Sequence, residues 1–180
     1  MKIYLMRHGQ TIWNEKGITQ GQTQNHLSKK GIESVNLASE NLKNKKLDVI
    51  ICSPLKRAIQ TATIMNKYHN IEIIKDNNLI DTNQGIFTGR KYKKLTTEEI
   101  KLKQLRSPKT KMESYDSVNL RVRNFANTLK EKYNYKNILI ITHTYIASSL
   151  EIIFNNKTEN LNNDQIIKNF NNAEIKEFNI

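Results

Sequence analysis

Five short apolar runs, at residues 2–6, 47–52, 71–75, 138–142 and 174–179, read as β-strands. The middle runs are solidly apolar and β-branched, as in Val49-Ile50-Ile51 and Ile138-Leu139-Ile140-Ile141, the pattern of strands buried on both faces. Between the runs, apolar residues recur at helical spacing. Ile32, Val35, Ala38 and Leu42 share one such face, with Ser28 placed to cap the helix. Leu55, Ala58, Ala62 and Met65 share another, for which Ser53 is the expected N-cap and Pro54 the first helical residue. A third helical segment falls around 96–105. A fourth runs from about 116 to 133, with Val118, Val122, Phe125, Leu129 and Tyr133 turned inward, and a fifth follows His143 with Ile146, Ala147, Leu150 and Ile153. Strands alternating with helices predict an α/β fold, a three-layer αβα sandwich around a mostly parallel sheet.

Two prolines and six glycines interrupt the 180 residues, and no Pro/Gly/Ser-rich linker divides them, so one domain over 1–180 is expected. The Asn-rich stretch 155–163 reads as a loop within it. Lysine and asparagine are abundant, and the net charge is +12. That charge has two readings: compositional bias, or a field that attracts anionic substrates. With no zinc-ligand set, RNP-like aromatic motif or basic heptad array, nucleic acid is not the expected partner. Cys52 is the single cysteine, which excludes an internal disulfide and fits a reducing cytoplasm; after an apolar run it reads as a buried small hydrophobe. No apolar stretch reaches membrane-spanning length, and the N-terminal run is too short for a signal peptide. A cytoplasmic monomer or homodimer without a membrane partner is the expectation.

Parallel strands share one carboxyl edge, where open α/β sheets bind their ligands. Arg7-His8 follows the first strand, Arg57 lies near the start of the helix after the second, and His143 follows the fourth. Two arginines and two histidines at one rim suit an anionic ligand, most simply phosphate.

These residues carry a family resemblance. The segment from Arg7-His8-Gly9-Gln10-Thr11 to Trp13-Asn14 resembles the signature of the histidine phosphatase superfamily, the phosphoglycerate-mutase-like proteins. Further blocks are similar to the same family in the same order. They are Gln20-Gly21 with Leu27-Ser28 and Gly31, Cys52-Ser53-Pro54-Leu55-Lys56-Arg57-Ala58 with Gln60-Thr61-Ala62, Glu113-Ser114-Tyr115, Ile140-Ile141-Thr142-His143, and Asn172-Ala173. The resemblance covers nearly the whole chain. It implies phosphoryl transfer in two steps without a metal or other cofactor. His8 would be the nucleophile, Arg7, Arg57 and His143 would surround the phosphoryl oxygens, and Asn14, Gln20 and Gly21 would complete the pocket.

The family's acid block is a Leu-x-Glu, and this chain has Leu79-Ile80-Asp81, followed by Gly85-Ile86-Phe87-Thr88-Gly89. Asp81 is the expected general acid and then base, one methylene shorter than the usual glutamate. Glu113 is expected instead to fix the start of its helix, and His26 and His69 to be surface residues. Thr144 stands where glycine is common and would contribute a backbone N–H to the phosphate. About thirty residues separate Asp81 from Glu113, too few for the large lid of the mutases, so a phosphatase acting on a small phosphorylated substrate is preferred. The Lys-rich segment 91–111, carrying Arg106, is expected at the entrance. The alternatives are mutase-type phosphoryl transfer and a non-catalytic phospholigand-binding protein on the same fold.

Overall fold

The structure, a computed structural model, describes residues 1–133, 136–155 and 170–180. The Asn-rich stretch expected as a loop lies, from 156 on, outside the described residues. Five strands form one sheet: β1 (Lys2–Arg7), β2 (Val49–Cys52), β3 (Ile73–Lys75), β4 (Asn137–Thr142) and β5 (Ile175–Asn179). Their spatial order is β3-β2-β4-β1-β5. The first four are mutually parallel, and β5 pairs antiparallel with β1. The helices are α1 (Ile12–Glu15), α2 (Lys29–Leu42), α3 (Lys56–Met65), α4 (Thr97–Gln104), α5 (Tyr115–Lys132) and α6 (Thr144–Phe154).

The two-residue alternation of a strand makes the layers. Ile3 and Leu5 of β1 join Val49, Ile51, Ile138 and Ile140 on one face, under Val122 and Phe125 of α5 and Ala147 and Leu150 of α6. Tyr4 and Met6 join Ile50, Cys52, Leu139 and Ile141 on the other, under Val35 and Ala38 of α2 and Ala58 and Ala62 of α3. Each fully buried aliphatic side chain contributes about 1.5–3 kcal/mol, so both faces of the sheet are needed to hold it. The expected three-layer α/β sandwich is the one observed.

Three local expectations are corrected. Ile32 is 41% exposed. Gly31 takes the buried place on α2, because a Cβ there would lie 2.0 Å from the Gln10 carbonyl oxygen. Ser53 does not cap α3: the helix starts at Lys56 after an extended Leu55. The Ser53 N–H instead donates to Ile141 O at 3.0 Å, carrying the β2–β4 ladder one residue further. The third strand is shorter than its apolar run, since only residues 73–75 lie in register with β2.

Candidate active site

Strand register places the two histidines side by side. Arg7 is paired with Thr142 across β1 and β4, and the His8 N–H continues that ladder to Thr142 O at 3.0 Å. The next residue on each strand is therefore a histidine, and the rings lie 5.0 Å apart between centroids, tilted by 57°. Both histidines are buried. The loop after His8 is bolted to α3: the Gly9 N–H donates to Thr61 Oγ1 at 3.0 Å, and that hydroxyl donates to Arg57 O at 2.7 Å. A side chain on residue 9 would collide with Val35, at 2.5 Å from its Cβ. From β5 comes a third tie. Because that strand is antiparallel, its first end lies at the site, and Asn172 Nδ2 donates to His8 O at 3.0 Å.

Hydrogen bonding fixes the protons on both rings. His8 Nδ1 lies 2.7 Å from Gly9 O. A carbonyl only accepts, so Nδ1 carries the proton and Nε2 keeps its lone pair. Arg57 Nε sits 3.3 Å from that Nε2. His143 is the reverse case. Its Nδ1 faces Arg57 Nη2 at 3.2 Å, a group that only donates, so its Nε2 carries the proton, 2.8 Å from Ser53 Oγ. Burial, and then the neighbouring Arg57, hold both imidazoles well below their ordinary 6.5, so both are neutral near pH 7.

Arg57 is the hub. It is fully buried, and Nη1 donates to Thr23 O at 2.8 Å. Nη2 lies 2.8 Å from Gly21 O and 3.0 Å from Asp81 Oδ2. Gly21 presents that carbonyl from a left-handed turn, φ +53°. Arg7 donates through Nη1 to Phe170 O at 2.9 Å, while its buried Nε has no partner among the described residues. Asp81 is clamped through its block. Thr142 Oγ1 donates to Leu79 O at 2.7 Å and Arg121 Nη1 to Asn78 O at 2.6 Å. Asp81 Oδ1 accepts from the Thr82 N–H at 2.8 Å, and Oδ2 also lies 3.8 Å from His143 Nδ1. Burial pushes the Asp81 carboxyl above its ordinary 3.8, against the pull of Arg57.

A cavity of about 340 Å³ opens over these groups, lined among others by Arg7, His8, Asn14, Gln20, Gly21, Asp81, His143 and Thr144. Every residue expected at the site except Arg57 lines it, and Arg57 lies buried behind them, against His8, His143 and Asp81. Two side chains are partly committed elsewhere. Asn14 Oδ1 accepts from the Thr11 N–H at 3.1 Å to cap α1, and Gln20 Oε1 lies 2.9 Å from Thr11 Oγ1. Thr144 opens α6, whose first-turn N–H groups favour an anion at this rim. Ser114 caps α5, and Glu113 just before it pairs with Arg121 of that helix at 2.9 Å. His26 lies on the surface, 3.0 Å from Gln60 Nε2. Sequence reasoning missed the parts played by Ser53, Thr61, Thr142 and Asn172. All four lie in blocks that carry the resemblance, and that position was the available signal.

A parallel sheet with two neutral histidines, two arginines and a raised carboxyl at its carboxyl edge defines a phosphoryl-transfer class of protein. The family model of the histidine phosphatase superfamily (branch 1) matches residues 3–178, and the chain belongs to that family. The chain is similar to phosphoserine phosphatase 1 of Hydrogenobacter thermophilus, 29% identical over 150 residues, which cover 80% of this chain and 71% of that one. Among solved structures, the α-ribazole phosphatase of Shigella flexneri shares 26% identity at a TM-score of 0.77, over 86% of this chain and 79% of the other. YhfR of Bacillus stearothermophilus shares the fold at a TM-score of 0.85 and 21% identity, over 98% and 89% of the two chains. The protein is a phosphomonoester hydrolase of the histidine phosphatase type. No helix among the described residues is long and apolar enough to cross a membrane.

Proposed function

We propose that the protein hydrolyses a small phosphomonoester in two steps through a phosphohistidine on His8, without a metal ion. The carrying observation is the unprotonated Nε2 of His8, which faces the Arg57 Nε–H while its partner nitrogen is locked to Gly9 O. In the first step the Nε2 lone pair forms a bond to phosphorus, and the bond from phosphorus to the ester oxygen breaks. The Asp81 carboxyl gives its proton to the departing oxygen. In the second step ionised Asp81 takes a proton from water as that water attacks phosphorus. The N–P bond breaks, phosphate leaves, and His8 is neutral again.

Arg7 and Arg57 stabilise the charge on the equatorial oxygens, helped by the backbone at Gly21 and Thr144 and by Asn14 and Gln20 at the wall. A dianionic phosphoryl group beside His143 favours its protonated form, so substrate binding recruits a proton to Nδ1 there. Entry of the phosphoryl group also draws Arg57 away from Asp81, which frees the carboxyl to hold a proton. The raised pKa of that carboxyl supports the role. We also propose that the protein acts in the cytoplasm, as a monomer or homodimer, on a small metabolite and not on nucleic acid or membrane.

The test is p-nitrophenyl phosphate hydrolysis in the presence of EDTA, wild type beside His8→Ala. Turnover persists with EDTA and falls on the order of 10³-fold or more in the variant. A folded wild-type protein without turnover overturns the reading in favour of phospholigand binding alone.

A further inference from the structure

Asn14 and Gln20 line the cavity over His8, and each carries a carboxamide with one accepting and one donating end. Which end meets a phosphoryl oxygen decides whether the side chain attracts or repels it. For both residues the surrounding hydrogen bonds fix the answer. The Thr11 N–H, which only donates, lies 3.1 Å from one atom of the Asn14 carboxamide, so that atom is Oδ1. Asn172 Nδ2, held as a donor by its 3.0 Å bond to His8 O, faces the same oxygen at 3.5 Å.

Gln20 is fixed through Thr23 and Asn25. The Gln20 backbone carbonyl only accepts, and it takes the single hydroxyl proton of Thr23 at 2.9 Å. Thr23 Oγ1 is then the acceptor for Asn25 at 2.7 Å, which makes the approaching atom of that carboxamide Nδ2. The same Nδ2 lies 3.2 Å from the Gln20 side chain, and the atom it meets there is Oε1. Thr11 Oγ1 joins it at 2.9 Å. Arg57 pins the loop by donating to Gly21 O and Thr23 O. With Oε1 tied to Thr11 and Asn25, Nε2 is the opposite end. Neither it nor Asn14 Nδ2 has a hydrogen-bond partner among the described residues, and neither is one of the partnerless atoms sealed from solvent there. Gln20 is otherwise buried, at 8% exposure, so the cavity it lines is the space open to Nε2.

We infer that Asn25 is a positioning residue: with Thr23 it fixes the polarity of the Gln20 carboxamide, so that an N–H and not a carbonyl oxygen meets the phosphoryl group. The inference rests on the phosphatase reading, which puts that group in the cavity. Asn25 is not among the residues lining the cavity and acts through Gln20. A carboxylate at position 25 reverses the arrangement. Thr23 turns its proton to the new oxygen, Gln20 turns Nε2 to it as well, and Oε1 is left against the anion. A change that preserves size, one residue removed from the ligand, thereby exchanges a donor for an acceptor.

The experiment is a titration with inorganic phosphate followed in proton–nitrogen correlation spectra. It uses the wild type, Asn25→Asp, Asn25→Ala, Gln20→Ala and the double variant of Gln20→Ala with Asn25→Asp, each checked for cooperative unfolding. The Gln20 side-chain NH2 signals are assigned by their loss in Gln20→Ala. In the wild type they move as phosphate binds. Asn25→Asp weakens phosphate about tenfold or more, and its Gln20 signals no longer move. Asn25→Ala, which frees the carboxamide without reversing it, weakens phosphate about threefold. On the Gln20→Ala background Asn25→Asp costs less than about threefold, the share of its charge alone. A packing role for Asn25 makes Asn25→Ala, which leaves a void, worse than Asn25→Asp, and that order overturns the inference. So does an equal loss from Asn25→Asp with and without Gln20, or a wild type whose Gln20 signals ignore bound phosphate. The readout needs no turnover, so failure of the phosphatase reading is seen separately, in p-nitrophenyl phosphate hydrolysis.

Discussion

His8 Nδ1 donates to the carbonyl of Gly9, the residue that follows it, at 2.7 Å. One local contact therefore decides which nitrogen keeps its lone pair, and so which would attack in the proposed reaction, and keeps the ring from turning. Burial and Arg57 hold the same ring well below 6.5. The acid limb of kcat/KM, where the nucleophile takes up a proton, consequently lies well below 6.5, and a profile measured down to about pH 5 shows no inflection at the ordinary histidine value. An inflection near 6.5 that vanishes in His8 variants contradicts this assignment.

Asp81 stands 3.0 Å from Arg57 with a carboxyl raised by burial. Its effect depends on how much help the leaving group needs. Asp81→Asn lowers kcat on an alkyl phosphate by about 10²–10⁴-fold. It costs p-nitrophenyl phosphate, whose leaving group departs without a proton, less than about tenfold. The alkaline limb of the alkyl-phosphate profile, where Asp81 loses its proton, disappears in the variant. Equal losses on the two substrates would assign the acid elsewhere.

Ser53 Oγ, fully buried, receives the His143 Nε2–H at 2.8 Å. Ser53→Ala leaves that N–H without an acceptor. Urea denaturation registers a loss of about 1–3 kcal/mol. The freed imidazole also loses its orientation, so kcat falls more than KM rises. A variant as stable and as active as the wild type would show that His143 is held by packing alone.

The same buried imidazoles govern stability against pH. Unfolded His8 and His143 bind protons below 6.5, and in the folded protein their affinity is depressed. The unfolded state therefore carries more protons in acid. Stability from this source is complete above 6.5 and is lost as pH falls through 6.5 toward the depressed values. Denaturation at about pH 7.5 and about pH 5.5 shows the drop, and it is smaller in His143→Gln than in the wild type.

The layers of the fold were legible because period reveals burial. Val35, Ala38 and Leu42 lie on the buried face of α2, as their spacing requires. Ile32, at the same spacing, is exposed, and Gly31, packed against the Gln10 backbone, takes the buried place. The strand-end histidines and arginines were legible as a set, since parallel strands share one edge. Their 5.0 Å approach was not, because it follows from the pairing of Arg7 with Thr142 between strands more than 130 residues apart in the chain. Ser53 shows how a local signal misleads. Ser-Pro before an apolar run looks like a helix start, yet the ladder to Ile141 keeps the serine extended and free to hold His143.

The sheet order gives the chain a timetable. β1, which leads directly into His8, lies between β4 and β5 and has no other neighbours in the sheet. As the chain is synthesised, its first strand waits without partners until residues 137–142 and 175–179 exist, while β2 and β3 are already able to pair. Closing so long a loop is slow and leaves Ile3, Leu5 and Met6 uncovered meanwhile. The loop that holds His8 is thus among the last parts to be set, and a nascent chain stalled short of β5 holds every residue of the proposed chemistry without the frame that aligns them.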